Sequence, residues 1–181
     1  MALTLYHGEP TGPSLTVLAA LFESGLQADL HPIDLAMAER HGGAVPRAFE
    51  VDYSVEGEGP VLVVGGQAMS DSVFIGCYLD DAAPGCGLRP TDPYARWEMM
   101  AWCRWMIERV APGAAALANI AWTTPRLAAL DDASFEQMVA PIASQDLAVR
   151  WRDTRAGSLS DEHRAASEAR VREATQKIED R

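Results

Sequence analysis

A proline stands at the mouth of an apolar β-branched run in Gly59-Pro60-Val61-Leu62-Val63-Val64, and a Gly65-Gly66 pair follows directly. Pro60 has no backbone N–H to give a ladder, so it suits the first residue of a strand. Val61 to Val64 has the composition of a buried strand. Gly65-Gly66 is a hairpin signal, which makes Gln67-Ala68-Met69 the short return strand. Ser70-Asp71-Ser72 then opens a helical stretch through Leu79, with hydroxyl and carboxylate side chains placed to satisfy orphan N–H groups. The free N–H groups and positive dipole end of such a helix also attract a carboxylate. The same residue types cap a helix with no ligand at all, so these residues leave both readings open.

The rest of the first half fits around this unit. Leu3-Thr4-Leu5-Tyr6 reads as a first strand, and His7 to Pro13 as a loop rich in Gly and Pro. Leu15, Leu18, Ala19 and Phe22 follow helical spacing, with Gly25 as a natural cap. Ala28 to Leu35 reads as a second strand, with Pro32 marking an edge. Residues 36–58 are turn-rich, with room for one short helix. The order is therefore β-α-β-(α)-β-β-α. Residues 83–91 form a Pro/Gly linker, and Thr91-Asp92-Pro93 starts a helix with Pro in its first turn.

From residue 92 onward the pattern is helical. Trp97, Ala101 and Trp105 make a mostly apolar stripe. Ala111 to Ala121 is small and apolar, which predicts close internal packing. Ser134 to Ala143 reads as a short helix. Ser160 to Asp180 reads as a long amphipathic one, with Val171, Ala174 and Ile178 on its thin apolar face.

Bulk properties exclude several classes. The formal net charge is −11, against nucleic acid and anionic membrane surfaces as partners. No apolar run approaches the ~20 residues of a membrane span. The first residues carry no basic region followed by a long apolar one, which predicts a cytoplasmic chain. Cys77, Cys86 and Cys103 are odd in number and lack CxxC spacing, so neither a disulfide framework nor a zinc site is expected. Cys77 and Cys103 fall in apolar helical patterns and are expected in the core. Asp131-Asp132 and Ser160-Asp161-Glu162 read as helix N-terminal charge, not as metal ligands.

The pattern Pro60…Asp71-Ser72…Ile75…Tyr78-Leu79, in a thioredoxin-like half joined to an all-helical half, resembles the glutathione S-transferases. Leu5-Tyr6…Pro10…Ser14-Leu15, Leu88-Arg89-Pro90-Thr91-Asp92-Pro93-Tyr94-Ala95-Arg96, Ile120-Ala121-Trp122, Phe135-Glu136-Gln137 and Val149-Arg150-Trp151-Arg152 are similar to the bacterial β-etherases of that superfamily. The resemblance implies an α/β thioredoxin-like glutathione-binding domain over 1–82, a linker over 83–91 and an all-helical domain over 92–181. It implies that glutathione is the co-substrate and an aromatic ether the substrate. Pro60 corresponds to the family's cis-proline, and Gly59 would offer its backbone to the cysteinyl part. Asp71 and Ser72 would hold the γ-glutamyl end, the carboxylate taking the ammonium and the hydroxyl and helix N–H groups the carboxylate. Ser14 falls where the family places its thiol-contacting residue, at a helix N-terminus that favours thiolate. Trp122 is expected to wall the aromatic pocket. Arg40 and His41 lie where members hold the glycyl carboxylate. His7 reads as a loop histidine rather than as an acid or base.

The sequence departs from the family at several points. Pro13 stands where the β-etherases have Asn, and Gly59 where a β-branched residue is usual. Glu56-Gly57-Glu58 replaces a basic turn, putting two acids near a site for an anionic peptide. The chain ends after its last predicted helix, earlier than a typical member. Three readings follow. One is a glutathione-dependent β-etherase in a homodimer. Another is a non-catalytic partner subunit of a heterodimeric one. The third is a glutathione-dependent isomerase or peroxidase.

Overall fold

A computed structural model describes residues 2–9, 12–47 and 59–180. Pro10 and the Glu56-Gly57-Glu58 turn lie outside the described residues. The chain divides into two compact units, Met1–Arg96 with Pro141–Ser144, and Trp97–Ala140 with Gln145–Arg181.

The first unit is built on a four-stranded sheet in the order β2-β1-β3-β4. Its strands are β1 (Leu3–His7), β2 (Asp29–Pro32), β3 (Val61–Val64) and β4 (Gln67–Met69). β1 and β2 run parallel, joined through helix α1 (Gly12–Ser24). β3 lies antiparallel to both β1 and β4, with Leu5 opposite Leu62 and Leu62 opposite Met69. Strand alternation divides the side chains between two faces. Leu3, Leu5, Leu62 and Val64 pack with Val17 and Leu21 of α1 and with Ile75 and Leu79 of α2 (Ser72–Ala82). Tyr6, Val61 and Val63 pack with Ile33, Val45 and Ala68 in a second cluster.

The hairpin turn follows from its residues. Gly65 and Gly66 have φ of 56° and 84°, the positive pair that a two-residue turn between antiparallel strands favours and that only glycine adopts without strain. The second strand is shorter than the residue pattern suggests. It covers four exposed residues at the sheet edge, where Pro32 costs no ladder bond. Beyond it the side chain of Asp34 caps a short 3-10 turn (Leu35–Met37), which ends the extended run. β1 extends one residue past Tyr6, so His7 lies on the strand, paired with Pro32.

The chain is helical from Pro93 to Ala128 without a break, all but the first four of these residues lying in the second unit: α3 (Pro93–Trp105), a π turn (Met106–Val110), α4 (Ala111–Ala118), a second π turn (Asn119–Thr123) and α5 (Thr124–Ala128). α6 (Asp132–Val139), α7 (Gln145–Ala156) and α8 (Asp161–Glu179) follow. α8 packs on α4, and α7 on α5. Asp92 Oδ1 accepts from Ala95 N–H at 2.8 Å, which starts α3 as the Thr91-Asp92-Pro93 pattern predicts. Asp131 and Ser160 cap α6 and α8 in the same way.

Several expectations change here. Within Ala111–Ala118 only Gly113 is buried, on the face where α8 packs. A Cβ at Gly113 would lie 3.3 Å from Ser167 Cα, so the small residue serves one close helix crossing rather than a buried segment. The mostly apolar Trp97–Trp105 stripe is not fully covered: no α3 residue is fully buried, and Trp97 is 61% exposed. Cys77 and Cys103 are half-buried. On α8 the inward residues are Ser167 and Ala174, while Ile178 is exposed. α6 ends at Val139, since Pro141 cannot continue it.

Candidate functional site

Register brings the predicted site residues of the first unit to one end of the sheet. Leu62 opposite Met69 puts Gly59-Pro60 and Asp71-Ser72 at the same end of the β3–β4 hairpin, away from its glycine turn. Tyr6 opposite Val61 puts His7 and Gly8 at that end as well.

Asp71 is the N-cap of α2. Its Oδ1 accepts from Val73 N–H at 3.0 Å and from Phe74 N–H at 3.3 Å, and its carbonyl accepts the first helical bond from Ile75 at 2.9 Å. It does so at φ 71° and ψ 116°, a backbone state costing on the order of 1–3 kcal/mol for a residue with a side chain. Strain of this kind persists only where its surroundings impose it. Here Met69 is held in the sheet, Ser70 is fully buried, and the cap bonds fix Asp71 from the helix side. Asp71 is 8% exposed, and Ser72 beside it is also buried. A carboxylate has lone pairs beyond those that cap, so Asp71 can accept from a further cation.

Pro60 is buried at the entrance to β3. Among the described residues no peptide bond is cis, so the Gly59–Pro60 bond is trans, not the cis bond that the resemblance implies. Trans is the lower-energy form of an X–Pro bond when nothing around it imposes cis. The Gly59 carbonyl accepts from Arg40 Nη1 at 2.9 Å. Arg40 is itself buried, and through Nη1 it reaches the backbone beside Pro60. Arg40, His41, Arg47 and Ser144 line a cavity of about 220 Å³.

Ser14 sits in the first turn of α1 and is 1% exposed. Its Oγ accepts from Gly8 N–H at 3.0 Å and so ties the end of β1 to α1. A Cβ at Gly8 would lie 2.5 Å from Leu35 Cδ1, so a larger residue there would push the Leu35 side chain aside. His7 Nδ1 lies 2.8 Å from the carbonyl of Gly8.

Where α2 leads into the linker, Asp80 gathers the chain. Its Oδ1 accepts from Leu88 N–H at 2.9 Å and Arg89 N–H at 3.3 Å, and its Oδ2 from Arg89 Nε at 2.7 Å. Asp81 meets the same guanidinium. The Arg89 hydrogen bond holds the Asp80 carboxyl below its ordinary range, and Asp80 raises Arg89 in turn.

In the second unit, Trp122 lies in the second π turn and is 75% exposed. Both π turns run directly into a proline-containing turn, Ala111-Pro112 and Thr124-Pro125. Those prolines inside helical patterns were the sequence signal for them. The Arg40–Gly59 bond had no such signal, because it spans 19 positions. Among the described residues no group of His, Cys, Asp and Glu could hold a metal, and no helix is long and apolar enough to cross a membrane.

No family model matches the chain. It is 32% identical over 165 residues to the protein LigF of Sphingobium sp. (strain NBRC 103272 / SYK-6), a match covering 87% of this chain and 60% of LigF. The chain thus spans about 60% of that relative's length. The crystal structure of β-etherase LigF from Sphingobium sp. strain SYK-6 superposes with a TM-score of 0.83 at 27% identity, over 99% of this chain and 73% of that one. A glutathione transferase homologue from Sulfitobacter, crystallised with glutathione, gives a TM-score of 0.52 at 20% identity over 96% of this chain and 92% of that one. BphK, a bacterial GST solved as a ternary complex, gives 0.57 at 20% identity over 97% and 70%. These last two bear on the fold alone. By its thioredoxin-like sheet, its helical second half and these likenesses, the chain has the glutathione S-transferase fold and is similar to the β-etherase LigF.

Proposed function

We propose that the chain belongs to a glutathione-dependent β-etherase. The likeness to LigF over 99% of the chain carries this reading. The buried Asp71-Ser72 pair at the head of α2 supplies the chemistry it needs. Residues 1–82 would bind glutathione, with 83–91 as linker and 92–181 as the helical domain. The carboxylate of Asp71 would take the γ-glutamyl ammonium, and the Ser72 hydroxyl and the helix end its carboxylate. Gly59 and Pro60 would flank the cysteinyl part. The glutathione thiolate attacks the carbon that carries the aryloxy group beside a ketone. A C–S bond forms, the C–O bond breaks, and the electron pair leaves with the phenolate. The protein contributes orientation, and the first turn of α1 around Ser14 favours the thiolate. Trp122 would contact the aryl group. The protein would act in the cytoplasm, as a dimer.

Incubation with glutathione and phenacyl phenyl ether tests this. One glutathione thioether and one phenol should appear per ether consumed. An ether left intact by folded protein contradicts the reading.

One observation favours a second reading. Ser14 is buried and its oxygen already serves Gly8, so no hydroxyl is presented at its surface to an incoming thiol. A chain with a glutathione site but weak thiol activation suits a partner subunit in a heterodimer with a related chain. Sedimentation with parallel turnover separates the two: a stable, active homodimer rules out the partner role.

A further inference from the structure

The second π turn is held open by its neighbours. Thr124 N–H reaches back five residues to the Asn119 carbonyl, closing a turn wider than that of an α-helix. Pro125 follows in the first turn of α5. It has no N–H to restore the normal ladder, and its ring crowds the carbonyl of Ala121 four residues back, which a wider turn relieves. Thr124 Oγ1 donates to the Thr154 carbonyl on α7 at 2.8 Å. Thr123 is buried before it and Leu127 is fully buried after it. The turn is therefore pinned on its inner side by Thr123, Thr124 and Leu127, and Trp122 is left on the outer side. The first π turn has the same build, with Ala111 N–H bonded to the Met106 carbonyl and Pro112 next. It presents no tryptophan of its own.

We infer that Pro125 and Thr124 are positioning residues that hold the wide turn open and so fix the outward direction of Trp122, the side chain proposed above to contact the aryl group. This rests on the reading of Trp122 as an aryl contact. Wide turns recur at functional sites because they re-aim one side chain without ending the helix.

The test compares Pro125→Ala, Thr124→Val, Pro112→Ala and Trp122→Ala in the full chain. Steady-state kinetics with phenacyl phenyl ether and quenching of Trp122 emission by the same ether give KM and Kd. Trp122→Ala should weaken the ether about tenfold, the worth of one aromatic contact. Pro125→Ala and Thr124→Val should each weaken it several-fold, approaching that about tenfold limit, with kcat nearly unchanged. Both should move Trp122 emission, read as the difference from the same variant carrying Trp122→Phe. Pro112→Ala, the equivalent change in the other wide turn, should do neither. Unchanged ether affinity in Pro125→Ala and Thr124→Val, with Trp122→Ala still impaired, overturns the positioning role alone. Unchanged affinity in Trp122→Ala overturns the aryl contact and the positioning role with it. If Pro125→Ala fails to fold, Thr124→Val decides.

Discussion

The amide of Gly8 donates to the hydroxyl of Ser14 at 3.0 Å, and both groups are buried. The bond joins the residue after β1 to the first turn of α1. It gives the residue expected to meet a thiol a structural task of its own. Ser14→Ala should leave the Gly8 N–H without its acceptor and destabilise the chain by about 1–3 kcal/mol in urea unfolding. If Ser14 also stabilises the thiolate, Ser14→Ala should shift the rising limb of the pH–rate profile upward as well. Loss of stability with an unmoved limb confines Ser14 to the structural role.

Asp71 combines a cap with a left-handed backbone. Asn keeps the capping oxygen and tolerates positive φ better than most residues, Gly keeps only the backbone freedom, and Ala keeps neither. Stability should fall in the order Asp71→Asn, Asp71→Gly, Asp71→Ala. The last should cost about 1–2 kcal/mol from the lost cap, more if the strain is unrelieved. Unfolding curves of the three check the order.

Arg40 is buried and reaches the carbonyl of Gly59 at 2.9 Å. Arg40→Met should therefore destabilise the chain by about 1–3 kcal/mol and loosen the entrance to β3. Arg40→Lys should not restore it, since an ammonium cannot reproduce the planar fork. Amide exchange at Val61 reports the loosening.

The Asp80–Arg89 clasp sets a pH dependence. Hydrogen bonding to Arg89 depresses the Asp80 carboxyl in the folded state. A depressed carboxyl contributes stability that is present above its unfolded pKa of about 3.9 and lost as pH falls through the folded value. Asp80→Asn should therefore be less stable than the parent at neutral pH and converge on it in acid. Thermal melts from neutral pH downward check this.

Much of the first unit was legible because its signals are local. Val61 to Val64, the Gly65-Gly66 turn and the Asp71 cap are each decided by residues a few positions apart. The same holds for Asp92, Asp131 and Ser160 as caps of α3, α6 and α8. What escaped the sequence depends on distant neighbours. The burial of Ser14 depends on Gly8 and the sheet behind it. The direction of Arg40 depends on Gly59. The exposure of Ala111–Ala118 and of Trp97 depends on which helices fold back over them. A proline by itself does not say which isomer its bond takes, so the trans bond before Pro60 was not legible either.

The central claim is a glutathione site at the head of α2, and titration calorimetry of the folded chain with reduced glutathione tests it most directly. The account predicts saturable binding that Asp71→Ala weakens by about tenfold or more, as expected when a charged partner is lost. Absence of binding by well-folded protein, or binding indifferent to Asp71→Ala, would contradict it.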